Sequence, residues 1–183
     1  MQVSAFLAGA IDSGLARRAL VVAPKTLLAQ WAAELTGVGL GGLVYEYLSP
    51  NPAERAAALA AVATPGTGRG ILLTTYGMVL HNAPALTGAF GKVPGLGPDD
   101  DDDGAWDVLA CDEGHKLKNA ATQLMAKIST LPVRTRLVLS GTPVQNDLNE
   151  LFTLMVRQGR RERERERERK REREERGGAT GRE

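Results

Sequence analysis

The sequence predicts an α/β fold, a mainly parallel sheet flanked by helices. Two observations carry this. Five short, apolar runs rich in Val, Ile and Leu are each bounded by turn residues. Between them lie segments with a 3.6-residue apolar period. Strands that alternate with helices imply βαβ units, and uninterrupted apolar strands fit a sheet buried on both faces. With 183 residues, 43% of them hydrophobic, the chain has the apolar content for a sizeable core.

The first residues are helical, with Val3, Phe6, Leu7 and Ala10 on one face. Ala19-Leu20-Val21-Val22-Ala23 is the first strand. Thr26 is expected to cap a helix carrying Leu27, Leu28, Trp31 and Leu35, which places Trp31 in the core, as Trp106 is. Residues 43–47 form a second strand, and Asn51-Pro52 opens an Ala-rich helix over about 53–63. Residues 70–74 form the third strand, followed by a loop with His81 and Asn82. Residues 106–111 form the fourth strand, with Cys111 as a buried, unreactive member. A helix over 120–131 buries Leu124, Met125, Ile128 and Leu131. Residues 136–139 form the fifth strand, and Asn146 or Asp147 caps a last helix with Leu148, Leu151, Phe152 and Met155. The crossovers are expected to be right-handed.

Two segments break the alternation. Residues 91–105 combine Gly, Pro and the acidic run Asp99 to Asp103, and read as a solvated loop within a domain spanning 1–156. Residues 157–183 are an Arg/Glu-rich, low-complexity tail with no core of its own. The net charge of +1 conceals an asymmetry: residues 1–156 hold 11 basic and 14 acidic side chains, the tail 12 and 8. Bulk charge therefore selects no partner. No apolar run reaches the length of a membrane span, no basic segment opens a secretory leader, and a single cysteine excludes an internal disulfide framework. A soluble, reducing, intracellular setting is the expectation.

Ligands in open parallel sheets bind beyond the carboxyl ends of the strands. There the sequence places Pro24-Lys25-Thr26, Thr74-Thr75, Asp112-Glu113-Gly114-His115 and Ser140-Gly141-Thr142 with Gln145. A hydrophobic strand ending in Asp-Glu suits a metal–triphosphate site. Asp112 would hold Mg²⁺ through water, and Glu113 would orient or deprotonate the attacking water. Taken singly, such a pair is more often two solvated acids. Ser140, Gly141 and Thr142 serve equally as a strand-to-helix turn or as partners of His115. Lys25 and Thr26 at a helix start suit a phosphate, or form an ordinary cap.

Taken together, the motifs resemble the first RecA-like lobe of the SWI/SNF-type, superfamily-two, ATP-dependent DNA translocases. The matching blocks are LVVAPKTLLAQWAAEL (20–35), ILLTTYGMV (71–79), WDVLACDEGHKLKNAAT (106–122) and LVLSGTPVQNDLNELF (137–152). The DEGH and APKTLL runs are most similar to the excision-repair-like branch that includes the Cockayne syndrome B protein. The resemblance implies a RecA-like sheet, ATP and Mg²⁺ as cofactors, duplex DNA or a nucleosome as partner, a nuclear location, no membrane, and a second helicase lobe that this sequence lacks. It makes Asp112 the Mg²⁺ ligand and Glu113 the catalytic base. His115, Ser140, Gly141, Thr142 and Gln145 would couple hydrolysis to DNA movement, and Pro24, Lys25, Thr26, Thr74 and Thr75 would lie near the DNA backbone.

The departures from that pattern are specific. No G-x-x-x-x-G-K-S/T motif occurs, and residues 2–14 resemble the helix that follows that loop. Turnover by this chain alone is therefore expected at background. A sheet without the phosphate-loop strand is expected to be marginally stable. Two other readings remain open on the sequence. One is a non-catalytic nucleic-acid-binding module using Lys25, the strand-end threonines and the basic tail. The other is a small-molecule α/β enzyme using Asp112 and Glu113 differently.

Overall fold

A computed structural model describes residues 2–64, 68–89, 105–114, 123–139 and Gly141. Its five strands are β1 (Arg18–Val22), β2 (Val44–Glu46), β3 (Gly70–Thr74), β4 (Trp106–Cys111) and β5 (Val133–Val138). Its α-helices are α1 (Gln2–Asp12), α2 (Leu28–Gly37), α3 (Pro52–Ala63), α4 (Tyr76–Thr87) and α5 (Gln123–Thr130). All strand pairs are parallel, in the order β2-β3-β1-β4-β5. This is the expected parallel α/β sheet.

The order follows from the chain's one change of direction. From β1 the chain passes α2 and reaches β2, two places away; every later step runs the other way. Right-handed crossovers in opposite directions must use opposite faces of the sheet. Accordingly α2 packs with α1 on one face, through Leu7, Ile11, Leu28, Trp31 and Leu35 against Ala19, Val21, Ile71 and Val108. Helices α3, α4 and α5 cover the other, through Val62, Val79, Leu86 and Ile128 against Leu20, Leu72, Trp106 and Leu109. Alternate residues of β1 thus enter opposite cores, and its five residues are all buried. A crevice opens at the carboxyl end of β1, because the helices after β1 and after its neighbours β3 and β4 leave to opposite sides.

Local chemistry fixes the element ends. Asn51 caps α3, its side chain accepting the Ala53 N–H at 3.0 Å, with Pro52 in the first helical position. At the head of β3, Gly70 has φ +151, and a Cβ there would meet Leu43 O at 2.7 Å and the Tyr45 ring at 2.8 Å. Only glycine allows β2 and β3 to approach that closely. At the amino end of β4, Asp107 Oδ2 accepts the backbone N–H groups of Arg17 and Arg18 at 2.7 and 3.0 Å, and its Oδ1 lies 3.7 Å from Arg134 Nε. One carboxylate thereby ties β1, β4 and β5 together.

Several expectations are corrected. Thr26 caps nothing: Lys25–Leu27 is a one-turn 3₁₀ helix after Pro24, with no side-chain cap, and it leads directly into α2. His81 lies on α4, exposed, and not in a loop. Gly77, Asn82 and Pro84 hid this helix; it survives as two short helices joined at a kink, where Asn82 has φ −120 and ψ 17. The strand β5 begins three residues earlier than expected, since Arg134 and Thr135 point to solvent and break its apolar run. Phe6 is 47% exposed, while Ser4 takes a buried place on α1. The acidic run, the last predicted helix and the Arg/Glu tail lie outside the described residues.

Candidate functional site

The carboxyl ends of four neighbouring strands form one edge. The ladder continues past the strands: Ala23 N–H donates to Thr74 O at 3.0 Å, Asp112 N–H to Val22 O at 2.9 Å, Leu139 N–H to Cys111 O at 2.8 Å and Gly114 N–H to Leu139 O at 2.8 Å. Side by side along this edge stand Thr74-Thr75, Ala23-Pro24-Lys25, Asp112-Glu113 and Leu139, with Gly141 two residues on. A Cβ on Gly141 would lie 3.9 Å from Glu113 Oε1. The acid pair and Gly141 therefore share a rim.

Besides its backbone N–H bond to Val22 O, Asp112 is held by three contacts. Its Oδ2 accepts the Trp31 indole N–H at 2.7 Å, and its Oδ1 accepts the Glu113 N–H at 2.8 Å. The Tyr76 hydroxyl donates to its backbone carbonyl at 2.5 Å. Burial, together with nearby Cys111, Asp112 and Glu113, pushes the Tyr76 phenol far above its ordinary range, so it stays a donor. Burial likewise pushes the Cys111 thiol up to about 12, so this neighbour remains a neutral thiol. Glu113 is the only non-glycine described residue with positive φ, at +53. A left-handed conformation at a non-glycine costs about 1–3 kcal/mol and persists where surroundings over-determine it. Here the Asp112 and Gly114 hydrogen bonds supply that constraint.

Beside the pair lies a cleft of about 380 Å³, lined by Gln2, Val3, Leu27, Gln30, Trp31, Glu34, Asp112 and Leu139. It sits between the amino end of α1, the start of α2 and the carboxyl ends of β4 and β5. Glu34 braces its wall, accepting from Ser4 Oγ and Gln30 Nε2, each at 3.1 Å. An ionised carboxylate offers about four acceptor positions. Two on Asp112 are used, and the residue still faces the cleft. Among the described residues no cluster of three or more His, Cys, Asp or Glu could enclose a metal. One carboxylate with room for water and phosphate oxygens is a Mg²⁺-type donor set, so Asp112 fits that ion.

The other predicted residues divide. Lys25 and Thr26 are exposed on the 3₁₀ turn, next to buried Pro24. Thr75 caps α4, its Oγ1 accepting the Met78 N–H at 3.3 Å. Thr74 is wholly buried, and its hydroxyl donates to Tyr47 O at 2.8 Å. It shapes the edge from within and presents no group on it. His115, Ser140, Thr142 and Gln145 lie outside the described residues. Sequence reasoning missed Trp31, Tyr76 and Glu34 as parts of the site. Trp31 occupies an apolar helical position, and its polar partner is 81 residues away.

Comparisons with known proteins agree with this geometry. The family model described as the SNF2-related domain matches residues 1–157. The chain is 44% identical over 154 residues to Protein CHROMATIN REMODELING 24 of Arabidopsis thaliana, covering 84% of this chain and 14% of that protein. It is 32% identical over 154 residues to the DNA excision repair protein ERCC-6-like of Danio rerio, covering 84% of this chain and 10% of that protein. The chain thus spans a small part of these relatives. Among solved structures it resembles the Sulfolobus solfataricus SWI2/SNF2 ATPase core in complex with dsDNA, with a TM-score of 0.56 and 22% identity, covering 81% of this chain and 26% of that one. The fold is that of a RecA-like lobe of a SWI2/SNF2 ATPase core. On the extent of these matches, the chain belongs to the SNF2-related domain family.

Proposed function

We propose that this segment is the hydrolytic face of the first ATPase lobe of a DNA-dependent translocase serving chromatin remodelling or DNA repair in the nucleus. The observation that supports it best is the shared edge. Asp112, Glu113 and Gly141 meet at one rim beside a cleft, and Lys25, Thr26 and Thr75 stand on adjoining strand ends. Bound Mg²⁺ would neutralise triphosphate charge at Asp112. Trp31 and the Glu113 N–H keep the Asp112 carboxylate in one orientation. Glu113, held in a left-handed backbone beside Gly141, takes the proton from the attacking water. Gly141 lies close to Glu113, and His115, Ser140, Thr142 and Gln145, which lie outside the described residues, would couple hydrolysis to DNA movement, as the motif resemblance implies. Lys25, Thr26 and Thr75, with Pro24 and Thr74 buried beneath them, form the backbone-facing surface for duplex DNA. Phosphate contacts of this kind position without reading sequence. The sequence holds no phosphate loop, so this chain by itself turns ATP over at background.

Duplex binding tests this reading. Unrelated duplexes are expected to bind with similar, salt-sensitive affinity. The exposed Lys25→Glu substitution should weaken all of them alike and lower the salt slope by about 1. Fluorescence anisotropy over a salt series reads both. Unchanged affinity and slope in the Lys25→Glu chain would remove this surface from the proposal.

A further inference from the structure

Each of the two elements at the accessible candidate DNA contacts, exposed Lys25 and Thr26 and half-buried Thr75, also carries an aromatic residue bonded to Asp112. The 3₁₀ turn with Lys25 and Thr26 runs directly into α2, whose Trp31 donates to Asp112 Oδ2 at 2.7 Å. Thr75 caps α4, whose first residue, Tyr76, donates to the Asp112 carbonyl. Both aromatic side chains are buried, Trp31 at 7% and Tyr76 at 9% exposure, so neither bond is a loose surface contact. They grip the same residue from opposite sides of β1, one by its carboxylate and one by its backbone. A displacement of either element moves its donor with it, because the donors sit on the first turns of packed helices.

We propose that Trp31 and Tyr76 are positioning residues that couple duplex occupancy of the Lys25–Thr26 and Thr75 surface to the metal affinity of Asp112. This rests on the functional reading above and goes beyond it, for it assigns the regulation of the acid to two hydrogen bonds. Duplex on the edge pulls the amino ends of α2 and α4 into one arrangement and fixes the Asp112 carboxylate for a divalent cation. Linkage then requires the cation to favour duplex by the same factor. A merely structural tryptophan or tyrosine would alter stability and leave this factor intact.

The test uses the whole chain, uniformly ¹⁵N-labelled, with Mn²⁺ as the probe. Paramagnetic broadening of the Gly114 amide reports occupancy at Asp112. A short duplex is expected to lower the Mn²⁺ concentration for half-broadening by about fivefold or more. In Trp31→Phe the same duplex should change it by less than about twofold, while duplex affinity without metal stays near the parent's. Tyr76→Phe removes only a hydroxyl and should lower the factor as well, which keeps the test open if the Trp31 variant does not fold. A factor unchanged in either folded variant overturns the coupling and leaves the functional reading standing. Failure of Mn²⁺ to broaden Gly114, or of duplex to bind the parent chain, overturns both.

Discussion

Glu113→Gln is expected to lower duplex-stimulated ATP turnover by about 10²–10⁴-fold. The assay needs a phosphate loop and a second lobe, so residues 1–157 are grafted over the corresponding segment of a two-lobe SWI2/SNF2 core, and phosphate release is followed with saturating duplex. The size of the effect follows from the chemistry. Gln keeps the volume of Glu and its hydrogen-bonding carbonyl, but it cannot accept the proton of the attacking water. The backbone that aims this side chain is unaltered, because its bonds run through Asp112 Oδ1, Gly114 N and Leu139 O. The loss should therefore fall on kcat, with KM for ATP little changed. Asp112→Asn should instead weaken the Mg²⁺ dependence, because it removes the charge that faces the cleft. A Glu113→Gln graft within about tenfold of its parent would remove Glu113 from the role of base.

Trp106→Ala is expected to destabilise the chain by about 4 kcal/mol, a large share of the roughly 5–15 kcal/mol that holds a domain together. Trp106 is the largest wholly buried side chain among the described residues and lies in the core beneath α4 and α5. Its indole N–H donates to Leu86 O at 3.1 Å, inside a protein interior where an unmet carbonyl is costly. Truncation leaves both a cavity and that orphaned acceptor. Its own backbone N–H, bonded to Pro132 O, is untouched, so the strand register should survive. Urea denaturation followed by far-ultraviolet circular dichroism measures the change. A loss below about 1 kcal/mol would mean that the core is not organised around this ring.

The contrast between Trp106 and Trp31 shows what was legible in the sequence. Both read as core residues, and both are buried. For Trp106 that is the whole story, since its polar partner is a nearby backbone carbonyl. For Trp31 it is half, because the indole N–H reaches an acid that only the sheet brings near. Strands β1, β3 and β4 were legible because they are buried on both faces and so read as continuous apolar runs. The head of β5 was not, because Arg134 and Thr135 face solvent there and the apolar pattern fails. Helix α4 was hidden by its own Gly, Asn and Pro, whose local preferences are overridden by the packing of Val79, Ala83 and Leu86. The acid pair itself was plain in the sequence. The left-handed backbone of Glu113 was not, for it arises from ladder bonds to a strand far along the chain.

Centrally, Asp112 faces the cleft, and Glu113 and Gly141 stand together on the rim beside it. Paramagnetic relaxation by Mn²⁺ in a ¹⁵N spectrum of the whole chain measures this directly. The amides of Val3, Glu113, Gly114 and Gly141 are expected to broaden together at the lowest Mn²⁺ concentrations, and Asp112→Asn to abolish the set. Broadening that instead begins around Asp12, Asp107 or the Asp99–Asp103 run, and leaves Glu113 and Gly141 sharp, would contradict it.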